Sequence, residues 1–282
     1  MDTLLEPFRY EFFRNGIAVA TLAGALCGLV GVYVVLRGMS YVGHGLSHAI
    51  FGSAAAFFAL GFSFYAGGAI GGLVAAVLIL LIARRRSIGA DAAIGVITSA
   101  AFAVGIIIIS FHGFTRNLEA ALFGNVLGVT PGDVVAVGVV TIATGLTVFL
   151  RYRQLLFTTF DPEVAEVSGV STAANDVLLA IMLTALITVC MTVLGVTLIA
   201  AMLVIPPVIG RLLTDSFHKM LWISVITGTL CGFVGVYLSY YLDWPSGPAV
   251  VLAATFLFAL AYGFSSVKRR RLPEAALDAH VD

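Results

Sequence analysis

Apolar residues along this chain gather into long runs that short polar segments separate. The runs occupy nine stretches: 15–36, 42–61, 64–83, 94–111, 132–150, 177–194, 196–213, 221–241 and 248–266. Each approaches the roughly 20 residues that an α-helix needs to cross the hydrocarbon core of a bilayer. The pattern predicts an all-α fold, a polytopic transmembrane bundle of about nine helices, with eight as the alternative.

Residues 177–213 form one continuous apolar stretch that is too long for a single crossing. As one helix it would extend about 55 Å, nearly twice the thickness of the hydrocarbon core. We therefore divide it near Gly195, and Pro206 and Pro207 predict a break or kink in the second half.

The composition indicates which solvent surrounds these helices. Hydrophobic residues make up 60% of the chain and charged residues only 11%, whereas soluble domains carry about 25% charged residues. A chain this apolar cannot cover itself with a polar surface, so membrane lipid must be its solvent. The formal net charge is zero, which gives no reason to expect a nucleic acid partner.

The basic residues indicate which side of the membrane each connection faces. Clusters follow the third, fifth, seventh and ninth runs: Arg84, Arg85 and Arg86; Arg151 and Arg153; Arg211 and Lys219; and Lys268, Arg269, Arg270 and Arg271. Excess positive charge marks the cytoplasmic side. Nine crossings place Arg37 inside and the N-terminus outside. Eight crossings reverse both positions, and the charge rule does not separate the two arrangements.

Two ionisable side chains stand out within the runs. His44 and His48 are four residues apart in the second run, so a helix places them one above the other on the same face. Two imidazoles at this spacing suit a first-row metal ion, and ionisable groups at membrane depth are functional hypotheses by default. We take His44 and His48 as candidate metal ligands, with Ser47 as a weaker one. The nearby Gly43, Gly45 and Gly52 would let the helix unwind.

A short helix is predicted in the longest cytoplasmic connection. In FDPEVAEVSGVST (160–172), Asp161 suits an N-cap and Pro162 suits the first turn. Glu163 favours the positive end of the helix, and Gly169 can close it. The alternatives are a docking helix and an ordinary interfacial loop helix.

We divide the chain into an N-terminal segment 1–14, a transmembrane domain 15–266 and a cytoplasmic tail 267–282.

Several kinds of active site are missing from the sequence. No GxxxxGK[ST] occurs, and neither of the two lysines follows a glycine, so the chain has no P-loop to bind ATP. There is also no HExxH, no GxSxG and no pair of carboxylates within a run. We expect a transporter rather than an enzyme. On the external side, His112 and Glu119 are candidates to meet arriving metal, and a solvated rim is the alternative.

Five segments occur in an order that identifies a family. They are VVLRGMSYVGHGLSHA (34–49), AALFGN (120–125), FDPEVAEVSGV (160–170), LIAAMLVIPP (198–207) and WPSGPAVVLAATFLFAL (244–260). Together they resemble the ABC-3 family of membrane permeases, which belong to ABC importers of manganese, zinc and iron. The resemblance extends from about residue 10 to 266, and it implies the fold of type II ABC importers, similar to the vitamin B12 permease. It also favours nine crossings.

The resemblance implies a complex. A second copy of the chain, two cytoplasmic ABC ATPase subunits and an extracellular metal-binding protein would complete it in the bacterial cytoplasmic (inner) membrane. The helix 161–171 would be the coupling helix that docks onto the ATPase. Its named residues are Asp161, Pro162, Glu163, Glu166 and Gly169.

One departure from the family changes the chemistry of the metal site. The family commonly reads GDALSHA where this chain reads GHGLSHA, so His48 keeps its position and His44 replaces an aspartate. An aspartate suits Mn²⁺, and two imidazoles move the preference toward Zn²⁺. We expect no permanently bound cofactor and a transported Mn²⁺ or Zn²⁺, ahead of iron. A secondary metal/proton antiporter, with the histidines as proton relay, is the alternative function.

Overall fold

The computed structural model describes residues 6–83, 90–112, 122 and 124–270, and the regular structure in these residues is entirely helical. The α-helices are α1 (Glu11–Leu36), α2 (Ser40–Ala59), α3 (Phe64–Ala83), α4 (Ala90–His112), α5 (Pro131–Leu150), α6 (Tyr152–Phe160), α7 (Pro162–Val167), α8 (Thr172–Leu194), α9 (Val196–Leu213), α10 (Phe217–Leu242) and α11 (Ser246–Arg270). Short 3-10 turns lie at Glu6–Arg9 and Val126–Gly128. The prediction of an all-helical bundle is confirmed.

Each of the nine apolar runs is a helix of 18 residues or more in the described chain. Eight of these helices are long and apolar enough to cross a membrane. The ninth, α2, has 20 residues but is less apolar because it carries both histidines and several glycines and serines. It packs against α3, α4 and α9, so it belongs to the bundle.

Arg37 fixes the end of the bundle at which α1 finishes. Its guanidinium forms an ion pair with Asp176, 2.7 Å away, at the start of α8, and it also contacts α6. The end of α1 therefore lies on the same side as the connection between α5 and α8. Nine crossings require this arrangement, whereas eight would place Arg37 on the opposite side.

Glycines bring α1 and α10 together in an antiparallel pair. A Cβ atom added at Gly24 would lie 2.1 Å from the carbonyl oxygen of Gly228, and one at Gly232 would lie 2.1 Å from that of Ala20. The backbones thus touch where only small residues fit, as in other membrane helix pairs. Gly28 and Gly232, the second residues of the similar segments CGLVGVY (27–33) and CGFVGVY (231–237), both lie in this contact.

The long apolar stretch divides where the sequence predicts. Gly195 has φ +79°, a conformation that favours glycine, and it separates α8 from α9. Pro206 and Pro207 lie inside α9 without ending it. Because Pro207 has no N–H to donate to the carbonyl of Leu203, that oxygen is free to face α1, where Gly31 leaves room for it.

Candidate metal site in the groove between α2 and α4

Helices α2 and α4 pack closely because glycines lie at their crossing. A Cβ at Gly105 would lie 2.3 Å from the carbonyl oxygen of Gly52, and one at Gly45 would lie 2.6 Å from Cγ2 of Ile94. Helix α2 runs unbroken through its glycines. The expectation that they unwind the helix is therefore wrong for this structure, because they serve close helix packing instead.

His44 and His48 lie together at this crossing. Their rings are one helical turn apart, with centroids separated by 4.8 Å and planes inclined by 77°. His44 is exposed and His48 is half-buried. The ring of Phe102 on α4 meets His48 edge-on, with centroids 5.3 Å apart. The predicted placement of both imidazoles on one face of a helix matches this geometry, although metal binding by them stays a prediction.

The histidines line a groove of about 680 Å³. Helix α4 forms its opposite wall with Gly95, Thr98, Ser99 and Phe102. The Thr98 hydroxyl donates to the carbonyl of Ile94, 2.7 Å away, whereas Ser99 is exposed in the groove. The groove is open on the surface of the single chain.

Ser47 occupies a different environment from the histidines. Its side chain is fully buried, and its hydroxyl donates to the backbone carbonyl of His44, 2.8 Å away. It is not among the residues that line the groove. In this conformation Ser47 therefore supports the backbone at His44.

The described residues of one chain could supply only part of a metal coordination shell. Among the residues that the structure describes, no group of three or more His, Cys, Asp or Glu side chains is placed to hold a metal ion. Zinc usually takes four ligands. Two imidazoles would thus need water, backbone oxygens or a second chain to complete the shell.

The predicted cytoplasmic helix is present as α7. The Asp161 carboxylate accepts a hydrogen bond from the N–H of Val164 at 3.0 Å, which makes Asp161 the N-cap, and Pro162 takes the first position. Glu163 lies exposed in the first turn. Gly169 has φ +80°, and the N–H of Val170 donates to the carbonyl of Ala165 at 2.9 Å, which closes the helix as a Schellman motif.

The outer surface of α7 is apolar at its tip. Val167 is 92% exposed and Val164 is 48% exposed, so this end of the helix presents apolar side chains at its surface. The Glu166 carboxylate accepts a hydrogen bond from the Thr172 hydroxyl at the start of α8. This hydrogen bond ties the helix to the start of α8, while Val164 and Val167 remain exposed.

Comparison with known proteins identifies the fold and its class. The sequence signature of the ABC 3 transport family matches residues 9–265. The chain belongs to this family. It is 34% identical over 265 residues to the manganese transport system membrane protein MntC of Halalkalibacterium halodurans, a match that covers 94% of this chain and 90% of that protein.

Two further proteins support this assignment. The chelated iron transport system membrane protein YfeC of Yersinia pestis is 33% identical over 265 residues, covering 94% of this chain and 90% of that one. The solved structure of PsaBC from Streptococcus pneumoniae in complex with Fab superposes with a TM-score of 0.85 at 31% identity, covering 92% of this chain and 94% of that chain.

Membership of the ABC 3 transport family establishes the general role of the chain. It is a multi-pass membrane protein and the permease subunit of a metal ABC transporter, and separate subunits hydrolyse ATP. The expectation of a transporter rather than an enzyme is confirmed. The comparisons give no support to the antiporter alternative.

His112 and Glu119 were the remaining predicted residues. His112 is the last residue of α4, and Glu119 lies outside the described residues. A role for either in meeting arriving metal stays a prediction.

Sequence reasoning missed two parts of this ABC 3 permease. It missed the α4 wall of the groove, for which the i, i+4 spacing of Thr98 and Phe102 was the available signal. It also missed α6, whose buried Leu155, Thr158 and Thr159 follow the same helical spacing.

Proposed function

We propose that this chain is the permease of an ATP-driven importer that carries a divalent transition metal ion across the bacterial cytoplasmic membrane. The pair His44 and His48 carries the proposal. Both imidazoles face one groove, 4.8 Å apart between ring centroids, on a helix of the transmembrane bundle. Imidazole is a common ligand of first-row metals and an expensive group to keep among apolar helices without a function.

The open groove and the incomplete ligand set favour a homodimer. His44 is exposed on the single chain, and a second copy facing this groove would cover it. Two copies would bring four imidazoles to one pathway, enough for a tetrahedral ion. We infer that the transporter contains two copies of this chain, with two cytoplasmic ATPase subunits and an extracellular metal-binding protein.

Transport in this complex would proceed through weak, reversible binding. The extracellular protein delivers the ion to the outer end of the bundle, and His44 and His48 hold it within the membrane. The ATPase subunits dock on α7, where Val164 and Val167 are exposed, and their cycle switches the side to which the groove opens. Ligands must be few, because conduction requires that the ion also leave.

The cargo is proposed as manganese or zinc, with iron third. The names of similar proteins include both manganese and chelated iron transport systems, while two imidazoles suit zinc. Ser47 remains the weaker candidate ligand, since its hydroxyl already donates to the carbonyl of His44.

Transport by the reconstituted complex tests the proposal. Proteoliposomes containing this chain and its ATPase subunits should accumulate Mn²⁺ or Zn²⁺ when ATP is supplied. The double variant His44→Ala, His48→Ala should reduce uptake about tenfold or more, because no imidazole remains in the groove. His218→Ala is the matched control, since His218 is exposed at the start of α10 and contacts Trp222.

Two results would contradict the proposal. Unchanged uptake in the double histidine variant would remove the assigned metal site. Uptake driven by a proton gradient without any ATPase subunit would instead indicate an antiporter.

A further inference from the structure

Arg37 lies between the segment that faces the ATPase and the helix that carries the histidines. It follows α1 directly, and α2 begins three residues later at Ser40. We propose that Arg37 is a positioning residue that transmits movement of α6 and α7 to the first turns of α2. This inference rests on the proposed function, because it needs an ATPase that moves α7 and a metal held on α2.

Three donors of the Arg37 guanidinium hold three separate side chains. Nη1 donates to Oδ1 of Asp176 at 2.7 Å, Nη2 to Oγ1 of Thr158 at 3.0 Å, and Nε to Oγ1 of Thr159 at 3.3 Å. The Arg37 side chain is only 9% exposed. Hydrogen bonds screened from water in this way are stronger, and they hold the joined side chains in fixed positions. We call Arg37 and its three partners the Arg37 node. The planar, forked guanidinium of arginine suits a site with three acceptors, and a lysine ammonium could not reproduce it.

The link from Arg37 to the coupling helix is short and rigid. Thr158 and Thr159 are in the last turn of α6, and only Asp161 separates α6 from α7. The N–H of Asp161 donates to the carbonyl of Phe157 at 2.9 Å, while its carboxylate caps α7. Asp161 thus belongs to both helices, so a displacement of α7 must displace the two threonines that Arg37 holds.

The link from Arg37 to α2 is equally short. Gly38 has φ +68°, and the N–H of Met39 donates to the carbonyl of Val34 at 3.0 Å. The N–H of Gly38 donates to the carbonyl of Val35 at 3.1 Å, which completes a Schellman motif. The chain between Arg37 and Ser40 therefore has little freedom to absorb a movement.

The structure leaves space for α2 to move. Among the described residues, a cavity of about 370 Å³ lies beside the first turns of α2, and neither histidine lines it. Met39, Val42 and Leu46 of α2 line it, and Leu179 and Leu183 of α8 form its far wall. Close-packed interiors resist displacement, so a shift of α2 toward this pocket costs less than a shift toward a close-packed neighbour.

A purely structural role for Arg37 makes a different prediction from a coupling role. If the node only stabilises the fold, its loss lowers the amount of active complex, and ATP hydrolysis and metal uptake fall together. If the node transmits movement, hydrolysis continues while uptake falls. Demonstrated coupling, rather than position between two sites, is the evidence that decides.

The experiment measures metal ions imported for each ATP hydrolysed by the complete complex in proteoliposomes. We expect Arg37→Gln to lower this ratio about fivefold or more, within the range by which residues between coupled sites alter coupling. Binding of Zn²⁺ to the detergent-solubilised complex should stay unchanged, since His44 and His48 are intact. Arg151→Gln is the matched control, because Arg151 lies at the same end and its Nη1 donates to Oε1 of Gln154, three residues away.

A second variant separates the coupling contact from the ion pair. The double substitution Thr158→Val, Thr159→Val removes the two hydroxyl acceptors from Arg37 and leaves Asp176 paired with it. The valines keep the buried shape, so this variant should assemble even where Arg37→Gln does not. It should show the same fall in ions imported for each ATP.

Failure of this inference is distinguishable from failure of the proposed function. If the wild-type complex imports no metal, the proposed function fails. If the wild-type complex imports metal and the ratio is unchanged in Arg37→Gln and in the double threonine variant, Arg37 does not couple the sites. Weakened Zn²⁺ binding in either variant would also overturn the inference, because the node would then shape the metal site itself.

Discussion

Phe102 on α4 meets the imidazole of His48 edge-on, with ring centroids 5.3 Å apart. This contact joins the two walls of the groove and restricts the orientation of His48. Metal sites depend on such neighbours, because they hold each ligand in the orientation that binding requires.

Phe102→Ala should therefore weaken metal binding by about tenfold while leaving the complex assembled. The imidazole of His48 would lose the ring that restricts it and adopt other rotamers. Calorimetric titration of the purified complex with Zn²⁺ measures the effect. Phe111→Ala is the control, because Phe111 lies on the same helix and is 81% exposed. Equal affinity in the two variants would show that the Phe102 ring does not orient His48.

His44→Asp should change which metal is transported. A carboxylate favours harder Mn²⁺, whereas a second imidazole favours Zn²⁺. We expect the ratio of Mn²⁺ to Zn²⁺ uptake to rise several-fold, measured by competition between the two ions in proteoliposomes. His44→Asn is the control, since it has nearly the same size without the charge. An unaltered ratio in His44→Asp would mean that His44 does not select the ion.

Asp161→Ala should weaken the association of the ATPase subunits. Asp161 accepts the hydrogen bond that begins α7, and loss of such a cap costs about 1 kcal/mol. Asp161→Asn keeps an acceptor and should bind nearly as the wild type does. Co-purification of the ATPase subunits at graded salt concentrations compares the two. Equal loss in both variants would assign the effect to the charge of Asp161 and not to the cap.

Gly24→Ala should destabilise the bundle away from the metal site. The added Cβ would lie 2.1 Å from the carbonyl oxygen of Gly228, so α1 and α10 must separate, at a cost of about 1–3 kcal/mol. Gly138→Ala is the control, because the space around Gly138 on α5 is open. That variant should gain about 0.5–1 kcal/mol from the better helix propensity of alanine. Thermal unfolding in detergent distinguishes the two.

The amino-acid sequence by itself determined the features that depend on neighbours along the chain. Nine apolar runs became nine long helices, because a backbone surrounded by lipid must satisfy its own hydrogen bonds. Helical periodicity placed His44 and His48 on one face. Asp161 and Gly169 set the ends of α7 through contacts within three to five residues. The family was also evident from segments that lie in order along the chain.

Only the tertiary structure decided which residues of other helices contact these features. Phe102 comes to His48 from another helix, and the sequence does not indicate which helix faces α2. Arg37 finds its partners 121 to 139 residues away on α6 and α8. Such contacts depend on how whole helices pack, and packing is set by the summed fit of many small and large side chains rather than by local preference.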